Sequence, residues 1–286
     1  MIPQSFRDMP RWWRDGPGWL DALPELVEEQ CRRWGLTVDG AAMHGSNALV
    51  VPVVRAGGGF VLRLTPPGPD VVAQIGALRF WDGRGTVRLI DADADRGVML
   101  LDRLSPGTSL RDVPVAEAMP VLGALMRRLA VPAPPQTPST GAAVARRMTT
   151  LGQEWDRCGR PFPAARLREV LDIGERLSQR DEVWAVDADL HSEQVLLGGR
   201  GDWTVVDPVL KRGDVDFDLA RVLWTRLDEM TDVVGCFDAV VTAAGTQRDL
   251  SRDWVVFRTA DYWLWGLAAG LTEDPQRCQR LMSAFD

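Results

Sequence analysis

Two aspartates in the centre of the chain have the residue type and the spacing for acid–base and metal chemistry. Asp189 lies in a short polar loop, and Gln194 follows it five positions later, directly before the apolar run 195–197. A glycine-rich turn leads to a second apolar run, 203–206, which is followed by Asp207. Two short apolar runs on either side of such a turn predict a β-hairpin. We expect this hairpin to hold Asp189 and Asp207 at one end, as two carboxylates that face one cavity.

A pair of carboxylates of this kind suits phosphoryl transfer. One aspartate accepts or orients the proton of the substrate hydroxyl group, while a second aspartate and an amide oxygen hold magnesium on the phosphates. The loop residue Asp189 is the candidate base. Asp207 is the candidate magnesium ligand, because a carboxylate at the end of a strand can face the phosphates. The alternative interpretation is a solvated hairpin with acidic turns.

Three linked sequence blocks carry a resemblance to a known family. In chain order they are Asp-Leu-His-Ser-Glu-Gln at 189–194, Trp-Thr-Val-Val-Asp-Pro at 203–208 and Gly-Asp-Val-Asp-Phe-Asp-Leu at 213–219. The chain resembles the aminoglycoside and hydroxyurea phosphotransferases, and most of all the streptomycin 6-kinase group. The resemblance implies a bilobal, protein-kinase-like α+β fold. Residues 1–103 would form a small N-lobe with a leading helix and a nucleotide-covering β-sheet, and residues 104–286 a mainly helical C-lobe with the catalytic loop.

The resemblance also implies ATP as a cofactor and a set of residues that bind it. Arg63 stands where the family has a lysine that reaches the phosphates, and Gln74 stands where it has the glutamate that pairs with this lysine. Arginine keeps the positive charge and can bind phosphate through two N–H groups, but it is longer and planar. Ser46 lies in the position of the nucleotide-covering loop. Asp102 and Leu104 lie at the hinge, where main-chain groups would bond the adenine.

Two further positions near Asp189 depart from the family pattern. Gln194 stands where the family usually has asparagine, and the additional methylene moves the amide by roughly 1.5 Å. Magnesium tolerates little geometric error, so the resemblance implies a metal site of Gln194 and Asp207 with adjusted geometry. Asp187 stands where the family motif often begins with histidine.

Composition limits the partners of the chain. Its 286 residues carry a formal net charge of −7 and the sequence pI is near 5.0. This balance disfavours nucleic acid, because neutralising phosphates needs clustered basic residues. No apolar run is long enough to span a membrane, and four scattered cysteines predict reduced thiols in a cytoplasmic protein. The oligomeric state stays open.

Carboxylates in the C-terminal part of the chain suggest how a substrate is held. An acidic cleft would suit a cationic molecule, and Tyr262, Trp263 and Trp265 could form its wall. The alternative interpretation of these residues is a solvated acidic face and a packed aromatic core. The carboxylates concerned are Asp228, Glu229, Asp261 and Glu273.

Hydrophobic periodicity predicts the elements that position these residues. Apolar residues at helical spacing predict an amphipathic helix over 19–34 that ends at Gly35. Apolar, β-branched runs predict a five-stranded antiparallel N-lobe sheet that includes strands at 47–54, 60–64, 86–91 and 98–101. Further helices are predicted at 71–81, 115–129, 142–158, 164–179, 219–230, 233–244, 251–271 and 275–284.

The first functional hypothesis is an ATP- and magnesium-dependent phosphotransferase. It would act on a hydroxyl group of a small polar or cationic molecule, with an aminoglycoside-like antibiotic as the default acceptor. The second hypothesis is a degenerate kinase-like binding or scaffold protein, which the four departures from the family pattern favour. The third is a kinase-like enzyme that phosphorylates a peptide during natural-product maturation. Asp189 and Asp207, which are both present, favour an enzyme over a scaffold.

Overall fold

The computed structural model describes residues 2–12, 16–199 and 201–286. The chain divides into two compact units. The first comprises residues 1–106 together with the short segment 198–202, and the second comprises residues 107–197 and 203–286. No helix in the described part of the chain is long and apolar enough to cross a membrane.

The first unit is an antiparallel sheet with helices. The helices are α1 (Gln4–Arg7), α2 (Pro17–Trp34) and α3 (Pro69–Trp81). The strands are β1 (Thr37–Val38), β2 (Met43–His44), β3 (Leu49–Arg55), β4 (Gly58–Leu64), β5 (Leu89–Asp93) and β6 (Val98–Asp102). The strand order is β1-β3-β4-β6-β5, and β2 pairs with β3.

Alternating side chains give this sheet two apolar faces. On β6, Leu100 belongs to the cluster that includes Leu23 of α2, whereas the next residue, Leu101, belongs to the cluster of Ile75 and Leu78 of α3. The period of two along a strand explains this division. Full burial of each leucine contributes about 1.5–3 kcal/mol, so both helices are fixed to the sheet by their apolar faces.

The sheet has six strands where the sequence predicted five. The short strands β1 and β2 pair separately with β3, through Thr37 and Val54 and through Met43 and Val50. The strand predicted at 86–91 is shifted and runs over Leu89–Asp93. It ends there because the Asp93 side chain accepts a hydrogen bond from the Arg96 N–H and so caps a 3-10 turn.

The second unit combines eight described helices with short strands. The strands are β7 (Ser105–Ser109), β8 (Trp184–Asp187), β9 (Val195–Leu197), β10 (Trp203–Val205) and β11 (Leu210–Gly213). A three-stranded sheet has the order β10-β9-β7, and β8 pairs with β11. The helices are α4 (Val115–Leu129), α5 (Thr140–Met148), α6 (Leu151–Arg157), α7 (Ala164–Ser178), α8 (Leu219–Trp224), α9 (Val233–Ala244), α10 (Arg248–Ala268) and α11 (Glu273–Ser283).

The helix predicted over 142–158 is interrupted at two threonines. The Thr149 hydroxyl donates to the Arg146 carbonyl at 2.7 Å, and Thr150 leaves helical geometry with φ −121°. Threonine side chains compete for backbone partners in this way, which favours helix ends. The chain therefore forms α5 and α6 in place of one long helix.

The helix predicted over 219–230 also ends early, at Trp224. A 3-10 turn over Leu227–Glu229 follows it. The buried Arg226 between them donates to the carbonyls of Leu110 and Val113. These contacts with a segment distant in the chain hold the backbone in a conformation that does not continue the helix. Local hydrophobic periodicity does not reveal such contacts.

Gly97 allows a test of the β5–β6 connection. It has φ +70°, and a Cβ atom there would lie 2.0 Å from the Thr65 carbonyl oxygen. We expect Gly97→Ala to lower the free energy of unfolding by at least about 3 kcal/mol, from left-handed strain plus overpacking. Gly83→Ala is the matched control, because φ is +80° but the added Cβ meets no atom closer than 3.8 Å. Urea unfolding measures both, and equal losses would contradict the packing argument.

Candidate active site

The β9–β10 hairpin places two of the predicted site residues side by side. Val195 pairs with Val205, and the N–H of Val206 donates to the Gln194 carbonyl at 2.9 Å. Gln194 therefore immediately precedes β9, and Asp207 is the second residue after the end of β10. The predicted hairpin is present, and its register brings these two positions to the same end.

The Asp189 carboxylate is held by a donor on each oxygen. Arg221 Nε donates to Oδ1 at 2.7 Å, and Gln194 Nε2 donates to Oδ2 at 2.9 Å. Asp189 and Arg221 are each about one-third exposed, with side-chain values of 33% and 32%. Charge-assisted bonds of this length fix the orientation of the carboxylate. Arg221 lies in α8, and the sequence reasoning did not select it.

The amide oxygen of Gln194 is a candidate ligand atom. Its Oε1 atom is buried and has no hydrogen-bond partner within the described residues. A buried carbonyl oxygen is rarely left without a partner. Gln194 thus keeps an unpartnered amide oxygen while its nitrogen binds Asp189. Amide and carboxylate oxygens are the donor types that magnesium takes.

The described residues contain no cluster of three or more His, Cys, Asp or Glu side chains that could hold a metal. A magnesium ion at Gln194 and Asp207 would therefore need further oxygen ligands. Magnesium in kinases usually keeps waters and binds substrate phosphates with one or two protein ligands. The donor set at the end of the hairpin fits that manner of binding.

Asp187 is hydrogen-bonded to two loops of this region, one at Asp189 and one at Val209. It is the last residue of β8 and is buried. Its Oδ1 accepts the N–H of Asp189 at 3.1 Å and the N–H of Val209 at 2.9 Å. One loop carries the candidate base, and the other directly follows the candidate metal ligand Asp207. Asp187, which stands where the family motif often has histidine, therefore stabilises both loops through hydrogen bonds. Its position after the apolar strand residues Ala185 and Val186 is the sequence signal that could have indicated this role.

Burial controls the ionisation of the Asp187 carboxyl group. Burial of the carboxyl group raises the pKa of Asp187 to about 8, and the nearby carboxylates Asp189 and Asp218 add to the increase. The two backbone N–H bonds act against it. Asp187 is therefore largely protonated at neutral pH, which makes it a neutral acceptor for both loops.

Two further buried ionisable residues are His191, which lies between Asp189 and Gln194 in the chain, and Asp218, which directly precedes α8. Burial lowers the pKa of His191, so its imidazole stays neutral at pH 7. Burial raises the pKa of Asp218, which accepts a bond from Arg258 Nη2 at 3.0 Å. The structure thus adds two cations that sequence reasoning did not select: Arg221, which pairs with Asp189, and Arg258, which pairs with Asp218.

The predicted phosphate-binding arginine lies in the first unit. Arg63 is buried on β4, and its guanidinium donates to Gln74 Oε1 and, at 3.4 Å, to Asn47 Oδ1. Gln74 thus meets Arg63 where an acidic partner would have formed an ion pair. Because the amide is uncharged, this contact is a hydrogen bond and not an ion pair.

The other predicted nucleotide contacts lie in the same unit. Ser46 is exposed in the short connection between β2 and β3, and its carbonyl accepts a bond from Arg11 at 3.0 Å. Asp102 ends β6, and its N–H donates to the Arg88 carbonyl at 3.1 Å. A main-chain contact from Asp102 to a base would thus use its carbonyl oxygen. Leu104 lies two positions further along the chain, after Arg103.

The carboxylates proposed for an acidic cleft are largely paired with arginines. Tyr262 donates its hydroxyl to Asp274 at 2.9 Å and stacks on Trp265, which is 53% exposed. Paired carboxylates attract a cationic substrate less than free ones. The ion pairs are Asp228 with Arg277, Glu229 with Arg226 and Arg111, and Asp261 with Arg147 and Arg258.

Known proteins share both the sequence and the fold. The family of aminoglycoside/hydroxyurea antibiotic resistance kinases matches residues 33–270. Streptomycin 6-kinase of Streptomyces griseus is 34% identical over 268 residues, which cover 90% of this chain and 87% of the relative. Hydroxyurea phosphotransferase of Kitasatospora aureofaciens is 36% identical over 280 residues, which cover 92% and 78%.

Solved structures show the same architecture at low identity. An aminoglycoside phosphotransferase crystal structure superposes with a TM-score of 0.61 at 17% identity, covering 92% of this chain and 99% of that one. Choline kinase from Streptococcus pneumoniae gives 0.60 at 9% identity, covering 92% and 98%. The fold and the sequence blocks define a small-molecule kinase with a protein-kinase-like α+β fold. The chain belongs to the aminoglycoside/hydroxyurea antibiotic resistance kinase family.

The raised pKa of Asp187 predicts a pH dependence of stability. Aspartate in an unfolded chain titrates near pH ~3.9, whereas Asp187 in the folded protein titrates at about 8. The folded protein thus retains a proton that the unfolded chain loses. Between the two values the free energy of unfolding falls as pH rises, by up to about 1.4 kcal/mol per pH unit.

Asp187→Asn removes this titration and keeps a neutral acceptor for the two N–H groups. We expect the variant to gain stability relative to the wild type from about pH 5 to about pH 8, with a constant difference at higher pH. Urea unfolding over this pH range measures the difference. If the difference does not change with pH, Asp187 does not carry a raised pKa.

Proposed function

We propose that this kinase transfers the γ-phosphoryl group of ATP, with magnesium, to a hydroxyl group of a small polar molecule. The observation that supports this most directly is the Asp189 carboxylate, which Arg221 and Gln194 hold next to the end of the hairpin that carries Asp207. Streptomycin and hydroxyurea, which the names of the relatives identify as their substrates, are the first acceptors to test. An aminoglycoside-like antibiotic remains the default class.

Asp189 acts on the acceptor hydroxyl group. Its carboxylate accepts or orients the hydroxyl proton, and the oxygen lone pairs that Arg221 and Gln194 do not use remain for this contact. Arg221 holds the carboxylate in one orientation through Oδ1. Fixed orientation contributes to the rate because the hydroxyl oxygen must lie in line with the bond that breaks.

Gln194 and Asp207 would hold the magnesium ion. When bound, magnesium neutralises charge that develops on the phosphate oxygens. The Gln194 amide contributes its buried Oε1 while its nitrogen keeps Asp189 in place. Because the glutamine side chain is longer than that of asparagine, Gln194 could contact the base and also supply a metal ligand. This supports the proposal that Gln194 serves the role that asparagine has in the family.

The first unit would bind the nucleotide. Arg63, positioned by Gln74, would contact the phosphates, and Ser46 would contact them from the loop between β2 and β3. The Asp102 carbonyl and the main chain of Leu104 would bond the adenine. We propose residues 1–103 as the nucleotide-binding lobe and residues 104–286 as the lobe with the catalytic loop and the acceptor site.

The departures from the family pattern support catalysis over a scaffold role, because each keeps a working contact. Gln74 still binds Arg63, Gln194 still presents an amide oxygen, and Asp187 braces the loop of Asp189. A scaffold protein without catalytic activity would not need to keep these three contacts.

Replacing the base tests the proposed function. Asp189→Asn keeps the size of the side chain and a carbonyl acceptor for Arg221, but it removes the basic carboxylate. We expect phosphoryl transfer to streptomycin or hydroxyurea to fall by about 10²–10⁴-fold, while the Kd for ATP changes less than about twofold. Mass spectrometry of the acceptor measures transfer.

Asp181→Asn is a matched control in the same unit, since this exposed aspartate pairs with Arg212 on the surface. It should leave transfer unchanged. Transfer by Asp189→Asn at the wild-type rate would show that Asp189 is not the base. Loss in both variants would point to a general effect on folding.

A further inference from the structure

The N-terminal segment, residues 2–12, packs on one face of the β-sheet in the first unit. Phe6 is 0% exposed and belongs to the apolar cluster that includes Leu62 and Leu64 of β4. Arg63 stands between these two leucines. Because successive side chains of a strand point to opposite faces of the sheet, the Arg63 guanidinium lies on the other face, against α3. The N-terminal segment therefore lies opposite to the face on which Arg63 would meet phosphate.

The same segment makes two polar contacts at the loop between β2 and β3. Arg11 Nη1 donates to the carbonyl oxygen of Ser46 in the loop at 3.0 Å. The Ser5 hydroxyl is hydrogen-bonded to His44 Nε2, at the end of β2, with a separation of 2.7 Å. The other ring nitrogen, His44 Nδ1, donates to the Gly45 carbonyl at 3.0 Å. The N-terminal segment thus holds the start of the loop as well as its middle.

Arg63 contacts the next residue of this loop from the opposite face of the sheet. Its Nη2 atom donates to Asn47 Oδ1 at 3.4 Å. The peptide group between Ser46 and Asn47 is therefore held on two sides. Arg11 binds its carbonyl oxygen on one side, and Arg63 binds the Asn47 side chain on the other. Contacts on two sides leave this peptide group little freedom to rotate.

The direction of the Ser46 carbonyl determines the direction of the N–H group that follows it. No peptide bond is cis within the described residues. In a planar trans peptide group the C=O and N–H bonds point in opposite directions. Because the Ser46 carbonyl points to Arg11, the N–H of Asn47 points away from Arg11. Backbone N–H groups that converge in a loop bind anions such as phosphate.

We propose that Arg11 is a positioning residue for nucleotide binding. By holding the Ser46 carbonyl, it directs the N–H of Asn47 toward the phosphate groups of a bound nucleoside triphosphate. Arg11 acts from behind the loop and does not touch the nucleotide. Burial of Phe6 fixes the segment that carries Arg11 to the sheet. This inference rests on the proposed function, since it takes the first unit as the nucleotide-binding lobe.

Removing the hydrogen-bond donors of Arg11 tests this role. Arg11→Met keeps a long apolar stem beside the Trp12 ring, over which the guanidinium now lies, but it cannot bind the carbonyl. We expect the Kd for ATP to rise by about fivefold, as the loss of one hydrogen bond does. The Kd for adenosine, which has no phosphate, should change by less than about twofold. Ligand-observed NMR titration of the full chain measures both. An unchanged Kd for ATP, or equal weakening of both ligands, would overturn the proposal.

Arg7→Met is the matched control. Arg7 belongs to the same N-terminal segment, but its guanidinium donates to the exposed Asp21 at 3.0 Å and not to the loop. The substitution is identical in size and in loss of charge, so it should leave the Kd for ATP and for adenosine unchanged. A loss of ATP affinity as large as that in Arg11→Met would overturn the assignment to Arg11. Thermal unfolding verifies that both methionine variants fold.

Amide hydrogen exchange separates this inference from a failure of the proposed function. The Gly45 N–H donates to the Ala48 carbonyl at 3.0 Å within the loop, so its exchange rate reports how firmly the loop is held. In the nucleotide-free protein, we expect exchange at Gly45 to be at least about threefold faster in Arg11→Met than in the wild type or Arg7→Met. Unchanged exchange in Arg11→Met, with a wild type that binds ATP, overturns the positioning role alone. A wild type that binds no ATP contradicts the proposed function and the inference with it.

Discussion

The carboxylate of Asp189, bonded at both oxygens, is the constraint on which this structure depends. Each donor comes from a different element, Gln194 from the start of the β9–β10 hairpin and Arg221 from α8. The backbone of the same loop is fixed by Asp187 at the end of β8. Hairpin, helix and strand must therefore all be in place before the carboxylate has one orientation. Preorganisation of this kind is what phosphoryl transfer requires from a protein.

Arginine supplies nearly all the positive charge that makes this arrangement stable. Of the 33 basic residues only Lys211 is a lysine. The planar guanidinium binds two partners at once, as Arg147 does with Glu154 and Asp261. That contact holds the pKa of Glu154 down at about 2. Networks of this type satisfy the carboxylates that they contact.

The sequence was sufficient for much of the fold and for the family. The three blocks around Asp189 predicted the family and the kinase-like α+β fold, and both are confirmed. Apolar periodicity predicted the hairpin and located α4 and α9 with the bounds that the structure shows. These features depend on local spacing, which a single sequence carries in full.

Side-chain partners far apart in the chain could not be predicted in this way. The Arg221–Asp189 pair spans 32 positions, and Asp187 reaches Val209 over 22. The break of the predicted helix at Thr149 depends on one hydroxyl bond. The acidic cleft was inferred from carboxylates alone, and the fold pairs Asp228 and Asp261 with arginines that composition could not assign to them.

The most direct test of this account is a calorimetric titration of the wild-type chain with ATP, with and without magnesium. We propose that Arg63 and Gln74 bind the nucleotide and that Gln194 binds the metal, although all three depart from the family pattern. We expect ATP binding in the micromolar to millimolar range that magnesium strengthens. No binding, or binding that magnesium leaves unchanged, would contradict it.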